Sequence, residues 1–227
     1  MSLAAEILVA CLDAASPDAL ARLMLMQDPV AASLTLEQQH RMACAALEEG
    51  DKVGVTLCSR HHGMAPEAIA GALGVMIIET QEPSCAGPFL RYADYRPHPA
   101  EIRLFRKTLG WLDLLLEQPG VGNVLGIERV ASVFVAHELF HHSEATSNTP
   151  SLARRHAVTR LRVATWRLRA PVLTLSEIAA GACAQAMLSL PYHPAILDLV
   201  ALSHAAPQIA RAHATKLVQM RPNRVQC

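Results

Sequence analysis

The sequence has no surplus of either charge: Lys plus Arg and Asp plus Glu number 20 each. A global basic field that would recruit nucleic acid or an anionic surface is therefore missing, leaving only local patches, and net charge names no partner. Nor is there a CxxC pair. Cys11, Cys44, Cys58, Cys85, Cys183 and Cys227 are scattered, which argues against a compact disulfide framework or a thiolate zinc site and makes buried, reduced thiols the expectation. No stretch approaches the roughly 18 uninterrupted apolar residues of a membrane helix. The first residues carry no basic cluster, and Glu6 and Asp13 interrupt their apolar run, so no secretory leader, no membrane partner and a cytoplasmic location are expected. Repeats and low-complexity segments do not stand out. Charged residues are only 18% of the chain against 52% apolar, which excludes a disordered polymer and supplies a substantial core.

Along the chain, the first 64 residues read as a helical extension. Helices are predicted at Leu3–Leu12, at Pro17–Met26 behind a Ser16 cap, and at Leu36–Glu49 behind Thr35. Residues 65–227 read as the main domain with C-terminal helices. Pro66 opens a short helix that Gly74 closes before the β-branched run Val75–Thr80. An alanine-rich helix ending Leu-Gly-Val also suits a helix-turn-helix, but Met76-Ile77-Ile78-Glu79-Thr80 favours an extended segment, so DNA reading there is not expected. Two short runs, Phe89–Tyr95 and Glu101–Phe105, flank the turn-forming Arg96-Pro97-His98-Pro99 and predict a β-hairpin. Helices follow at Lys107–Glu117 and, beyond the break at Gln118-Pro119-Gly120, at Ile127–His142. Val158–Leu168 is expected as a strand, with a basic helix as the alternative. Further helices are predicted at Ser176–Leu188, Pro194–Ser203 and Pro207–Val218. The fold class is α+β: predominantly helical, with a small mixed sheet and the N-terminal helical extension.

The chemistry lies in VFVAHELFHHSEA, Val133–Ala145. Residues four apart share one helix face, so the imidazoles of His137 and His141 can converge on one ion, a spacing that suits zinc. Glu138 can then reach a metal-bound water and take its proton. A chain with 11 histidines yields such a match by chance only about 0.02 to 0.03 times, which makes the pattern informative. The bland alternative is a helix end emerging into water, with His142, Ser143 and Glu144 continuing a polar patch. Against it stands the apolar lead-in from Ala131 to Ala136: polar groups on a buried helix need partners, and a divalent ion serves all three.

A zinc ion also requires a third protein ligand, and the downstream candidate is Glu177. Ser176 can cap a helix there, with Glu177 in its first turn and an almost wholly apolar helix behind. An ordinary first-turn acid favoured by the helix dipole is the competing reading.

HELFHH followed by SEIAAGACAQAMLSLP resembles the ImmA/IrrE-type metallopeptidase-like proteins, whose HExxH helix precedes one patterned E-x-x-A-x-x-F-A and then Leu/Pro. Glu177, Ala180, Ala184, Leu188 and Pro191 match. Cys183 stands at the usual Phe position, Phe140 where Gly is commoner, and the basic insert between the helices is long. The resemblance spans about Ala65–Pro191. It implies a gluzincin, zincin-like fold with His137, His141 and Glu177 as ligands of Zn2+, Glu138 as general base, and a protein or peptide substrate. Tyr92, Tyr95 and His156 are candidate oxyanion donors, and the hairpin is a candidate edge for an extended peptide. Two other functions stay open: a zinc-containing regulatory or binding module without turnover, and a nucleic-acid-associated protein using Arg154–Arg169 over a structural metal. His61-His62 beside Cys58 is expected to be an exposed loop, His193, His204 and His213 are too widely spaced to share a ligand face, and Cys85 is expected to be structural.

Overall fold

The computed structural model describes residues 9, 15–82, 85–86, 89–118, 121, 129–163 and 166–220. The predicted helix at Leu3–Leu12 lies, apart from Val9, outside these residues, as does the break at Pro119-Gly120.

Helix α1 (Pro17–Gln27) starts as its sequence dictates, with Pro17 in the first turn and the Ser16 hydroxyl accepting from the Ala19 amide at 3.1 Å. It ends at Asp28, whose carboxylate accepts from the amides of Val30 and Ala31 at 2.7 and 2.9 Å and from the Thr174 hydroxyl at 2.8 Å. Burial pushes this carboxyl up, but those hydrogen bonds hold it below its ordinary value. Helix α2 (Leu36–Arg60) opens on a full capping box between Thr35 and Gln38.

Helix α2 does not stop at Glu49. It continues through Gly50 and Gly54, because these glycines are contact points rather than breakers. A Cβ on Gly50 would lie 2.0 Å from the Ala179 carbonyl oxygen, and one on Gly54 2.6 Å from that of Cys183. Both facing carbonyls belong to α7 (Thr174–Leu188). One hydrophobic core includes Leu20, Ala43, Ala46 and Leu57 from the first 64 residues together with Ile69, Ile102, Leu139 and Ile178 from the rest.

Helix α3 (Pro66–Ala72) is closed by Gly74 at φ +72° and leads into β1 (Met76–Thr80). The hairpin differs from its predicted span. Phe89–Leu90 (β3) pairs with Cys85–Ala86 (β2), while β4 (Ala93–Pro97) and β5 (Ala100–Phe105) form the larger ladder, joined by the turn at His98-Pro99. Strand β5 pairs in parallel with β1 on its other side, giving a mixed sheet ordered β1-β5-β4. Ile102, Leu104 and Phe105 of the central strand are buried.

Helix α4 (Arg106–Leu116) follows directly, and α5 (Val130–Thr146) packs on the sheet, with Tyr92 stacked on Phe134 at 4.5 Å. The short α6 (Leu152–Arg155) leads to an antiparallel hairpin of β6 (Val158–Val163) and β7 (Trp166–Ala170), so the expected strand is present as two. Then come α7, α8 (Ile196–Ala205) and α9 (Pro207–Gln219). Among the described residues no helix is long and apolar enough to cross a membrane. The architecture is α+β and mostly helical, with a small mixed sheet.

Candidate metal centre

Helix α5 buries Val133, Ala136, Leu139 and Phe140, and presents His137 and His141, one turn apart, each with its side chain about one-fifth exposed. Their rings meet edge to face at 5.1 Å. Helix α7 brings Glu177 opposite them. One carboxylate oxygen lies 3.2 Å from His137 Nε2 and the other 3.5 Å from His141 Nε2. One ligand atom from each of the three residues lies within 4.8 Å of the other two.

Tetrahedral zinc with bonds of about 2.0–2.1 Å sets neighbouring ligand atoms about 3.3–3.4 Å apart. The two observed imidazole–carboxylate separations bracket that spacing, so this donor set fits the ion. The chemistry fits too, because two neutral imidazoles and a carboxylate are the ligands zinc takes when one coordination position is left for water.

The placement of Glu177 depends on a contact that the sequence reading missed. Ser176 is not the cap: α7 begins two residues earlier, at Thr174, and the Ser176 hydroxyl donates to Glu144 Oε1 at 3.0 Å. The same oxygen accepts from the Leu152 amide at 2.7 Å. Glu144, in the last turn of α5, thus ties together the helix that carries His137 and His141, α6 and the residue beside Glu177.

Without a metal, the three side chains are joined by hydrogen bonds. Burial pushes Glu177 up, but hydrogen bonds from His137 and His141 outweigh it and hold the carboxyl far below its ordinary value. For His141 burial disfavours the charged ring, and the contact with Glu177 overrides it, raising the pKa to about 9. Glu177 is nonetheless about half exposed. It is crowded by protein yet open to solvent.

Glu138 is buried, with 6% of its surface accessible, and among the described residues it has no hydrogen-bonded partner. Burial raises its pKa; His137 and His141 pull it down, and Glu177 and Asp94 push it up. Asp94, on β4, is itself held by Arg103 at 2.7 Å.

The three candidate oxyanion donors have other surroundings. Tyr92 is buried against Phe134, and the Tyr95 hydroxyl lies 2.9 Å from Nδ1 of His142, a histidine outside the ligand set. His156 caps the end of α6, half-buried. Phe140 is buried in the core. Cys183 is also buried, at the point where Gly54 approaches the α7 backbone, and burial pushes its thiol up to about 12.

One residue near the centre went unread in the sequence. Asp198, on α8, has its carboxyl pushed up to about 6, by burial first, with His137 pulling down and Glu177 pushing up. The available signal was its isolation, since it is the one Asp, Glu, Lys or Arg between Pro191 and His204. His193 is buried: Nε2–H donates to the Ile178 carbonyl at 3.0 Å and Nδ1 accepts from the Ala195 amide at 3.2 Å, which fixes a neutral tautomer.

A second set of potential ligand atoms, from Asp18, His40 and Cys44, also lies within 4.8 Å. No thiolate site was expected from the cysteine spacing. Here His40 Nδ1 lies 2.8 Å from Asp18 Oδ1 in a surface hydrogen bond, and Arg22 shares Asp18 at 3.9 Å, so the pair is accounted for without an ion. A groove of about 590 Å³ between Gly63–Glu67 and Met187–Leu190 contains none of the three ligand residues.

No family model, curated protein or solved structure matches the chain.

Proposed function

We propose that the protein is a zinc-dependent hydrolase of the metallopeptidase type, with an ImmA/IrrE-like arrangement, acting on a protein or peptide. The observation that carries this reading is the approach of Glu177, 40 residues downstream of His137, to both imidazoles, with Glu138 buried alongside. His137, His141 and Glu177 are the ligands. Zinc bound there supplies Lewis acidity and a water of lowered pKa.

The chain's own chemistry rests on Glu138. A desolvated carboxylate on the helix turn that carries the ligands binds a proton readily, so it serves as general base for a water proton and later returns that proton to the leaving amine. Strand β4 is an edge of its sheet and packs against α5, which suits backbone pairing with an extended peptide. The test is hydrolysis of unstructured protein substrates by the zinc-loaded chain and its Glu138→Gln variant. Turnover that is present in the first and lost in the second, at equal metal content, supports the reading. Equal or absent turnover in both leaves a metal-binding module.

A further inference from the structure

The β6–β7 hairpin has no role in the metal chemistry and has an unusual surface. Between Glu144 and Glu177 the chain contains six arginines and no Asp or Glu, although the protein as a whole is neutral. Arg160, Arg167 and Arg169 are exposed. Arg160 donates to the Ser33 hydroxyl and Arg169 to the Ala157 carbonyl, and none of the three has a carboxylate partner among the described residues.

The ribbon is also apolar where it should be polar. Leu161 and Leu168 are directly opposed across the two strands, and Trp166, two residues from Leu168, lies on the same face. They are 57%, 63% and 82% exposed, respectively. Arg167 and Arg169 alternate with them and lie on the other face. No further strand pairs with this ribbon in the described structure.

We propose that this hairpin is a docking element for an anionic lipid surface, on which Trp166, Leu161 and Leu168 enter the headgroup boundary while the arginines reach the phosphates. Tryptophan with one polar atom on a large apolar body, and arginine with a long apolar stem below a charged head, are the side chains suited to that boundary. Nucleic acid would engage the arginines and one aromatic ring but leave the Leu161–Leu168 pair without a partner. A second copy of the chain would bring two unbalanced arginine clusters together. Only an anionic apolar boundary uses both faces. The inference does not rest on the metal reading and is independent of its outcome.

The test uses the full chain with vesicles of phosphatidylcholine alone or mixed with phosphatidylglycerol. The expected result is binding to the anionic vesicles in low salt, loss of that binding in high salt, and a blue shift of tryptophan emission on binding that is missing in Trp166→Phe. Arg167→Glu, at a surface position, changes the local charge by two and should weaken binding roughly thirtyfold. Binding that is absent, or equal on both vesicle types, overturns the proposal. So does vesicle binding unchanged by Arg167→Glu and Trp166→Phe together. Salt-dependent capture of an oligonucleotide by a chain that ignores vesicles also overturns it, as does a dimer whose formation alone shifts Trp166 emission.

Discussion

Nε2 of His137 stands 3.2 Å from Oε2 of Glu177 on a different helix, and that contact joins two segments separated by 40 residues. Its counterpart from His141 makes Glu177 a bridge between two imidazoles. In the absence of an ion the three side chains are linked by hydrogen bonds; zinc bound as proposed would take its three protein ligands from them.

The proposed general base can be separated from the proposed ligands. Glu138→Gln keeps the side-chain shape, removes a carboxyl that burial already disfavours in its charged form, and breaks no hydrogen bond to a proposed ligand among the described residues. Zinc content and melting temperature should hold or rise slightly, while peptide hydrolysis falls by roughly 10²- to 10⁴-fold, the usual contribution of general acid–base catalysis. Metal analysis and hydrolysis assays on the same preparation check this.

The metal-free protein should show a stability window in pH. His141 has its folded pKa raised to about 9 from 6.5, so its contribution is full below 6.5 and lost as pH rises through about 9. Glu177 is lowered from 4.5, so its contribution is present above that value and lost as pH falls through its depressed folded value. With chelator present, the melting temperature of wild type should exceed that of Glu177→Ala most between about pH 4.5 and 6.5. The gap should shrink on the alkaline side, closing above about pH 9. Thermal scans across pH on both proteins measure the gap.

Helix α7 holds its position through glycines on α2. Gly50→Ala places a methyl 2.0 Å from the Ala179 carbonyl oxygen, a backbone atom with no freedom to swing away. Destabilisation of about 1–3 kcal/mol or more is expected. Zinc affinity should fall with it, because α7 carries Glu177. Gly110→Ala meets nothing within 4 Å in the middle of α4 and should stabilise by roughly 0.5–1 kcal/mol. Denaturant titration of the two variants gives the opposite signs.

The neutral His193 predicts acid sensitivity elsewhere in the same scaffold. Burial first, and then the nearby His137, lower its pKa from 6.5 to about 4, against the opposing hydrogen bond to Ile178. The unfolded chain therefore binds the proton first, and stability falls as pH drops from about 6.5 toward 4. His193→Gln should flatten that part of the wild-type profile, as read from denaturant midpoints at several pH values.

What was legible in the sequence was local. The spacing of His137 and His141 fixes a shared helix face whatever the tertiary structure, and an acid heading the apolar segment after Ser176 signalled a partner for Glu177. Pro17, Ser16 and Thr35 marked helix starts through short-range hydrogen bonds. What was illegible depended on partners distant in the chain. Gly50 looked like a helix end because its packing on Ala179 lies 129 residues away, and Ser176 looked like a cap because its true acceptor is Glu144 on another helix. Phe89 and Leu90 have the composition of the longer ladder, but pairing register is a property of two strands and assigns them to Cys85 and Ala86. Asp198 reaches the centre only through the fold of α8.

Zinc stoichiometry is the most direct test of the central claim, measured by elemental analysis and competitive chelator titration in a Cys44→Ser background that silences the Asp18–His40–Cys44 set. One zinc per chain is predicted, with affinity reduced by at least about 10- to 100-fold in both His137→Ala and Glu177→Ala. A chain that takes up no zinc, or one in which Glu177→Ala holds it as tightly as wild type, would contradict the account.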